Sequence, residues 1–270
     1  MAKTLVIDIN RCNGCHACQI ACKDEYCEQA WLPYSEAQPM TGQFWIKVNE
    51  IVRGSVPVVR ISYIPTLCAH CDDAPCIEAG AGAVYRREDG LVIIDPSQAK
   101  GNRQLVAACP QGSIFYNDNL KLPQKCTGCA HLLDAGWKVP RCVDVCPTDA
   151  LSFMDDSEEA RANTREPDAL IGLGPHVLYK NYPKRFIAGC VVDLAADEVV
   201  IGATVSLFSQ EGLLIAKTAS DAFGDYRFDQ IEADEYQVVI TVNGYFEQRI
   251  NVDVRKEDKY VGETDLSQHE

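Results

Sequence analysis

Residues 12–22 read C-N-G-C-H-A-C-Q-I-A-C, which places Cys12, Cys15, Cys18 and Cys22 in a C-x2-C-x2-C-x3-C run. At this spacing three thiolates wrap one corner of an iron–sulfur cubane, and the fourth ligates a second cluster. The backbone must curl tightly to do so, and Gly14 and Ala17 keep the intervening side chains small. Cys22 sits about one helical turn past Cys18 and points elsewhere. The run therefore requires a partner motif further along the chain.

Partner motifs follow. Residues 68–76, C-A-H-C-D-D-A-P-C, set Cys68, Cys71 and Cys76 at C-x2-C-x4-C, three ligands that need a fourth. The nearest unassigned candidate is Cys109, in C-P-Q-G-S-I-F, where the proline ends the preceding helical turn. Cys126 and Cys129 stand in C-T-G-C, and Cys142 and Cys146 in C-V-D-V-C-P. Taken alone, those four also suit a closed tetrahedral zinc ion. The C-x3-C-P ending, and a Cys22 otherwise without a partner, point to a cluster instead. The stretches from Cys109 and from Cys146 (C-P-T-D-A-L-S-F) copy one another, an internal repeat expected of paired ferredoxin-like modules. Cys27 and Cys190 fall outside every pattern and read as buried thiols, small hydrophobes rather than ligands.

The N-terminus runs M-A-K-T-L-V-I-D into a strand-like segment, without the apolar stretch and cleavage site of a signal peptide. In that setting fourteen cysteines favour metal binding over a disulfide framework. A hydrophobic content of 47% with 24% charged residues is that of a soluble globular chain. No apolar run approaches the roughly 18 residues of a membrane helix. A net charge of -14 argues against nucleic acid or an anionic membrane as partner. The expectation is a cytoplasmic protein with no membrane and no nucleic-acid partner.

Residues 28–66 read as an inserted arm or hairpin covering the clusters, and 156–186, without clean periodicity, as a linker. From 187 to 270 the chain is a series of short strands with period-two alternation. Tyr236, Val238, Ile240 and Val242 share one face, and Ile250, Val252 and Val254 share another, with turns at Gly212, Gly224 and Gly244. No nucleophile–base constellation stands out. His16, His70 and His131 lie beside cluster cysteines, where they tune or pack rather than catalyse.

The first 155 residues resemble the four-cluster electron-transfer subunits of the dimethyl sulfoxide reductase family of molybdopterin enzymes. The resemblance rests on the four cysteine motifs above, on R-R-E-D-G-L-V-I-I-D at 86–95 and on P-R-C-V-D-V-C-P-T-D-A-L at 140–151. Residues 187–270 resemble a β-sandwich of carboxypeptidase-regulatory or transthyretin-like type, through D-A-F-G-D-Y-R-F at 221–228 and N-G-Y at 243–245. Together these imply an α+β chain of paired ferredoxin-like iron–sulfur modules with a C-terminal all-β sandwich. In the family the first and fourth motifs exchange their last cysteines, as do the second and third. The resemblance thus implies three [4Fe–4S] clusters: one on Cys12, Cys15, Cys18 and Cys146, one on Cys126, Cys129, Cys142 and Cys22, and one on Cys68, Cys71, Cys76 and Cys109.

The family's fourth cluster would need cysteines where this chain has Gly80, Ala99, Asn102 and Leu105. Restoring cysteine at all four should rebuild it if the local backbone survives. The resemblance also implies a heterodimer with a large catalytic subunit carrying molybdopterin guanine dinucleotide and molybdenum, and no catalytic residue on this chain. Three clusters plus a sandwich in place of a membrane exit resemble one branch of that family, and the resemblance implies a reaction on trihydroxybenzenes without net oxidation. Competing readings are a subunit of another soluble molybdenum or tungsten oxidoreductase, a free-standing polyferredoxin, or clusters with mainly a docking role.

Overall fold

A computed structural model describes residues 2–266. The chain divides into two compact units. One takes the chain up to Ile51 and again over Ser62–Tyr182; the other takes Val52–Ile61 and the chain from Pro183 onward.

In the first unit the strand Lys3–Asp8 is central to a four-stranded sheet. Leu151–Asp155 lies antiparallel to it, with Leu5 opposite Phe153, and Val177–Lys180 lies parallel, with Leu5 opposite Val177. Thr164–Arg165 closes the far edge. Residues 156–186, expected as a linker, thus supply two strands, and Val177, Leu178 and Tyr179 are all buried. A strand covered on both faces shows no alternation, and a four-residue one has too few positions for any period to register.

Helix Ala17–Tyr26 buries Cys18, Cys22 and Tyr26, each four residues apart and so on one face. The remaining helices are short: Pro75–Ala79, with proline in its first turn, Ala130–Asp134, Arg141–Asp144 and Glu158–Arg161. Hairpins pair Ile46–Ser55 with Val58–Leu67, Val84–Arg86 with Val92–Ile94, and Phe115–Asn117 with Leu122–Gln124. Cys27, expected to be buried, is only half-buried, in a bridge to Gln38. Among the described residues no helix is long and apolar enough to cross a membrane.

The second unit is a sandwich. In one sheet Arg185–Asp193 pairs antiparallel with Asp225–Ile231 and Glu198–Val199, and parallel with Lys259–Asp265. The other runs Leu214–Ala219, Thr204–Ser209, Glu235–Thr241, Gln248–Asp253, all antiparallel. The period-two positions meet inside, where Val205, Leu207, Val238 and Ile240 pack with Ile187, Val191, Tyr226 and Phe228. Cys190 is buried in the first strand. The arm's tip belongs to this unit: Arg53 Nη1 donates to Lys184 O at 2.5 Å and lies 3.3 Å from the buried carboxylate of Asp258. A cut after residue 186 therefore leaves part of this unit behind.

Candidate metal centres

The C-x2-C loops that begin at Cys12, Cys68 and Cys126 turn through a left-handed residue two places after the first cysteine: Gly14 (φ 73°), His70 (φ 48°) and Gly128 (φ 65°). Two of the three are glycine for a double reason. A Cβ at Gly14 would stand 2.5 Å from the Tyr63 ring, and one at Gly128 2.5 Å from Leu91 Cδ2, so both space and backbone exclude a side chain. The two C-P copies do a second job. Gly112 and Asp149, three residues past Cys109 and Cys146, are also left-handed. The chain then turns the N–H of Ser113 to 3.4 Å from Cys109 Sγ, and the N–H of Ala150 to 3.3 Å from Cys146 Sγ. The internal repeat is thus a device for aiming one backbone donor at one sulfur.

Electrostatics sorts the thiols into groups. Burial, then Cys12, Cys146 and Cys15, pushes Cys18 up to about 12, and Cys12 is raised by burial and by Cys146 and Cys15. Cys22 is raised by burial and then by Cys126 and Cys129; Cys142 by burial and then by Cys129, Cys22 and Cys126. Cys71 is pushed up to about 12 by burial, Cys68, Cys109 and Cys76, and Cys76 is raised by burial against the opposing Lys125 cation, and by Cys68 and Cys109. Cys146 goes the other way: burial raises it, but the N–H groups of Leu151, Thr148 and Ala150 and the Thr148 hydroxyl outweigh that. The groups also adjoin: Cys22 and Cys142 feel Cys18, and Cys126 is pushed up to about 12 by burial, then by Cys68 and after it by Cys129.

This donor set fits the iron–sulfur groups the sequence implies. Buried thiols that raise one another are costly as bare thiolates, and bound metal removes both the repulsion and the desolvation penalty. Cys22, Cys126, Cys129 and Cys142 line one cavity, Cys71, Cys76 and Cys109 line another, and Cys68 borders both. Cys15, beside Cys12 and Cys18, is exposed. Among the described residues, no three His, Cys, Asp or Glu side chains close on a single ion.

Some residues that shape these sites carried no role in the sequence. Arg86 donates to the carbonyls of Cys71 and Asp72, both at 2.5 Å, and so pins the second loop. His176, from the stretch expected as linker, donates its backbone N–H to Ala69 O at 2.8 Å and places Nε2 2.9 Å from Asp72 Oδ1. Lys125 is buried and donates to Cys126 O at 3.1 Å and to Val92 O. A lysine directly before C-T-G-C was the one available signal. Tyr26 bonds Thr127 Oγ1 at 2.7 Å, tying the first helix to the third loop. Of the histidines, His16 is exposed, His70 buried, and His131 stacks on Trp31 with Nε2 2.9 Å from Glu25 Oε1.

The positions where the sequence resemblance implied a missing fourth cluster are tightly packed. Ala99 and Leu105 are fully buried and pack with Val84, Val92, Ile94, Ile114 and Leu122. A Cβ at Gly80 would meet Val84 Cγ2 at 2.5 Å and Cys76 O at 2.9 Å.

Residues 59–156 match a 4Fe-4S dicluster domain, and residues 187–267 a carboxypeptidase regulatory-like domain. The chain is 37% identical to the pyrogallol hydroxytransferase small subunit of Pelobacter acidigallici over 252 residues, 89% of this chain and 90% of that one. It is 34% identical to the thiosulfate reductase electron transfer subunit of Salmonella typhi, over 57% of this chain and 77% of the relative. To a subunit of the anaerobic dimethyl sulfoxide reductase of Escherichia coli it is 34% identical, over 54% of this chain and 70% of the other.

Proposed function

The chain belongs to the iron–sulfur electron-transfer subunits of molybdopterin oxidoreductases, and from that premise we propose that it is the small subunit of a pyrogallol–phloroglucinol transhydroxylase. It works with a large catalytic subunit, in a reaction on trihydroxybenzenes without net redox change. The observation that carries this reading is the match to the pyrogallol hydroxytransferase small subunit, which runs through both units, whereas the two reductase subunits cover little more than half of the chain.

Three [4Fe–4S] clusters, one per cysteine quartet, supply reversible one-electron transfer when bound. This chain's residues hold them and set their environment. Cys12, Cys15, Cys18 and Cys146 form the most accessible quartet, with Cys15 exposed. Cys22 and Cys142, both buried, keep the middle quartet out of water. N–H groups aimed at Cys109 and Cys146 favour the more negative, reduced state. The catalytic chemistry, and the molybdopterin guanine dinucleotide with its molybdenum, belong to the partner subunit. With the fourth place packed by Ala99 and Leu105, electrons have no exit toward a membrane quinone pool and are stored or exchanged within a cytoplasmic complex.

The test is purification of the native complex. Expected are one stoichiometric large subunit, about twelve irons and twelve sulfides on this chain by the count of four thiolates per cluster, and turnover of trihydroxybenzenes without quinone. Obligatory quinone reduction overturns the transhydroxylase reading, and iron near eight or sixteen overturns the ligand sets.

A further inference from the structure

His70 occupies a position that its sister loops give to glycine. Its φ of 48° lies in the left-handed region, which a bulky side chain enters only against steric resistance. Strain of this kind is retained where the side chain has work to perform. The ring is buried, 7% exposed, and its Nδ1 accepts the Val92 N–H at 3.0 Å. An accepting Nδ1 has no proton, so the neutral ring carries its proton on Nε2. That Nε2 is buried and has no hydrogen-bond partner among the described residues. Buried donors are ordinarily satisfied, so an orphan one marks a missing acceptor.

Two cavities border the ring. His70 lines both the cavity of Cys22, Cys126, Cys129 and Cys142 and the cavity of Cys68, Cys71, Cys76 and Cys109. The Val92 backbone holds this arrangement from both sides, because its N–H fixes His70 and its carbonyl accepts from Lys125. We propose that the Nε2–H of His70 donates a hydrogen bond to a sulfur of the cluster in one of these two cavities and raises that cluster's reduction potential. A donor on sulfur stabilises the more negative, reduced state, so its loss makes the couple more reducing.

The inference rests on the cluster reading, and iron analysis separates the two. A full chain that fails to load about twelve irons by the count of four thiolates per cluster fails the cluster reading, whatever His70 does. In the loaded chain, His70→Phe keeps a ring of similar size and removes both nitrogens. At fixed potential, the reduced-to-oxidised ratio of one cluster is expected to fall about tenfold, or about 59 mV for a one-electron couple, with the others unmoved. Unchanged potentials in all clusters overturn the proposal. A second measurement needs no variant: with 15N-histidine in the unmodified chain, pulsed electron paramagnetic resonance of the reduced clusters should show a histidine nitrogen coupling and an exchangeable proton. Absence of both overturns it as well.

Discussion

Two neighbouring regions of the first unit are packed in different ways. Around Cys68, Cys71, Cys76 and Cys109 the chain keeps a cavity with four sulfurs on its wall. Beside it lie Gly80, Ala99, Asn102 and Leu105, where the sequence resemblance implied another cluster; here Ala99 and Leu105 pack in an apolar cluster. Cys76, Val92 and Ile114 belong to both surroundings. A hole in a protein interior is costly unless something occupies it. Where the ligands remain, bound metal can supply that occupant. Where they are gone, the chain supplies it itself, with Leu105 and Ala99.

Replacing one ligand should turn the open region into a defect. Cys76→Ala is expected to lose about four irons, a whole cluster by the ligand count of four, because three thiolates leave a metal site incomplete. Leu105→Ala, in the closed region, should cost about 2–5 kcal/mol of stability and no iron at all. Iron analysis and denaturant unfolding of the two variants test the contrast, which breaks if Leu105→Ala releases iron.

The converse experiment puts cysteine at Gly80, Ala99, Asn102 and Leu105 together. On sequence grounds this should restore a cluster if the backbone survives. The structure now predicts that it does not: the new Cβ at residue 80 stands 2.5 Å from Val84, and overpacking of this kind costs about 1–3 kcal/mol. Expected is a destabilised protein with an unchanged iron count, and about sixteen irons by the count of four per cluster would show that the closed region can reopen.

Least affected should be the cysteines that belong to neither region. Cys27→Ala and Cys190→Ala are expected to keep every iron. Cys190→Ala alone should lose some stability, about 1 kcal/mol for a small buried side chain, since Cys27 is only half-buried. Loss of four irons from either variant would redraw the quartets.

Much of this was legible because the signal was local. The spacings 12–15–18–22 and 142–146, the duplicated C-P turns and the period-two strands of the second unit are all set by residues within one or two turns of each other. Gly14 could be read as a small loop residue for the same reason, whereas the left-handed angles of Gly14 and Gly128 and the neighbours that crowd them emerged only from the fold. The stretch 156–186 was read as a linker because a four-residue strand buried on both faces carries no period. The arm was recognised as a hairpin, but which unit holds its tip depends on Arg53 reaching Asp258, about two hundred residues away.

By itself, the sequence determined that the chain is an iron–sulfur subunit with cysteine motifs at cluster spacing and that a β-rich second unit follows, since motif spacing and strand alternation are written in short stretches. Only the tertiary structure decided which sulfurs line a common cavity, that Ala99 and Leu105 lie in a packed apolar cluster, and that among the described residues His70 Nε2 is buried without a hydrogen-bond partner. Those depend on which distant segments come within a few ångströms of each other, and packing at that range is a property of the whole fold and not of any stretch of it.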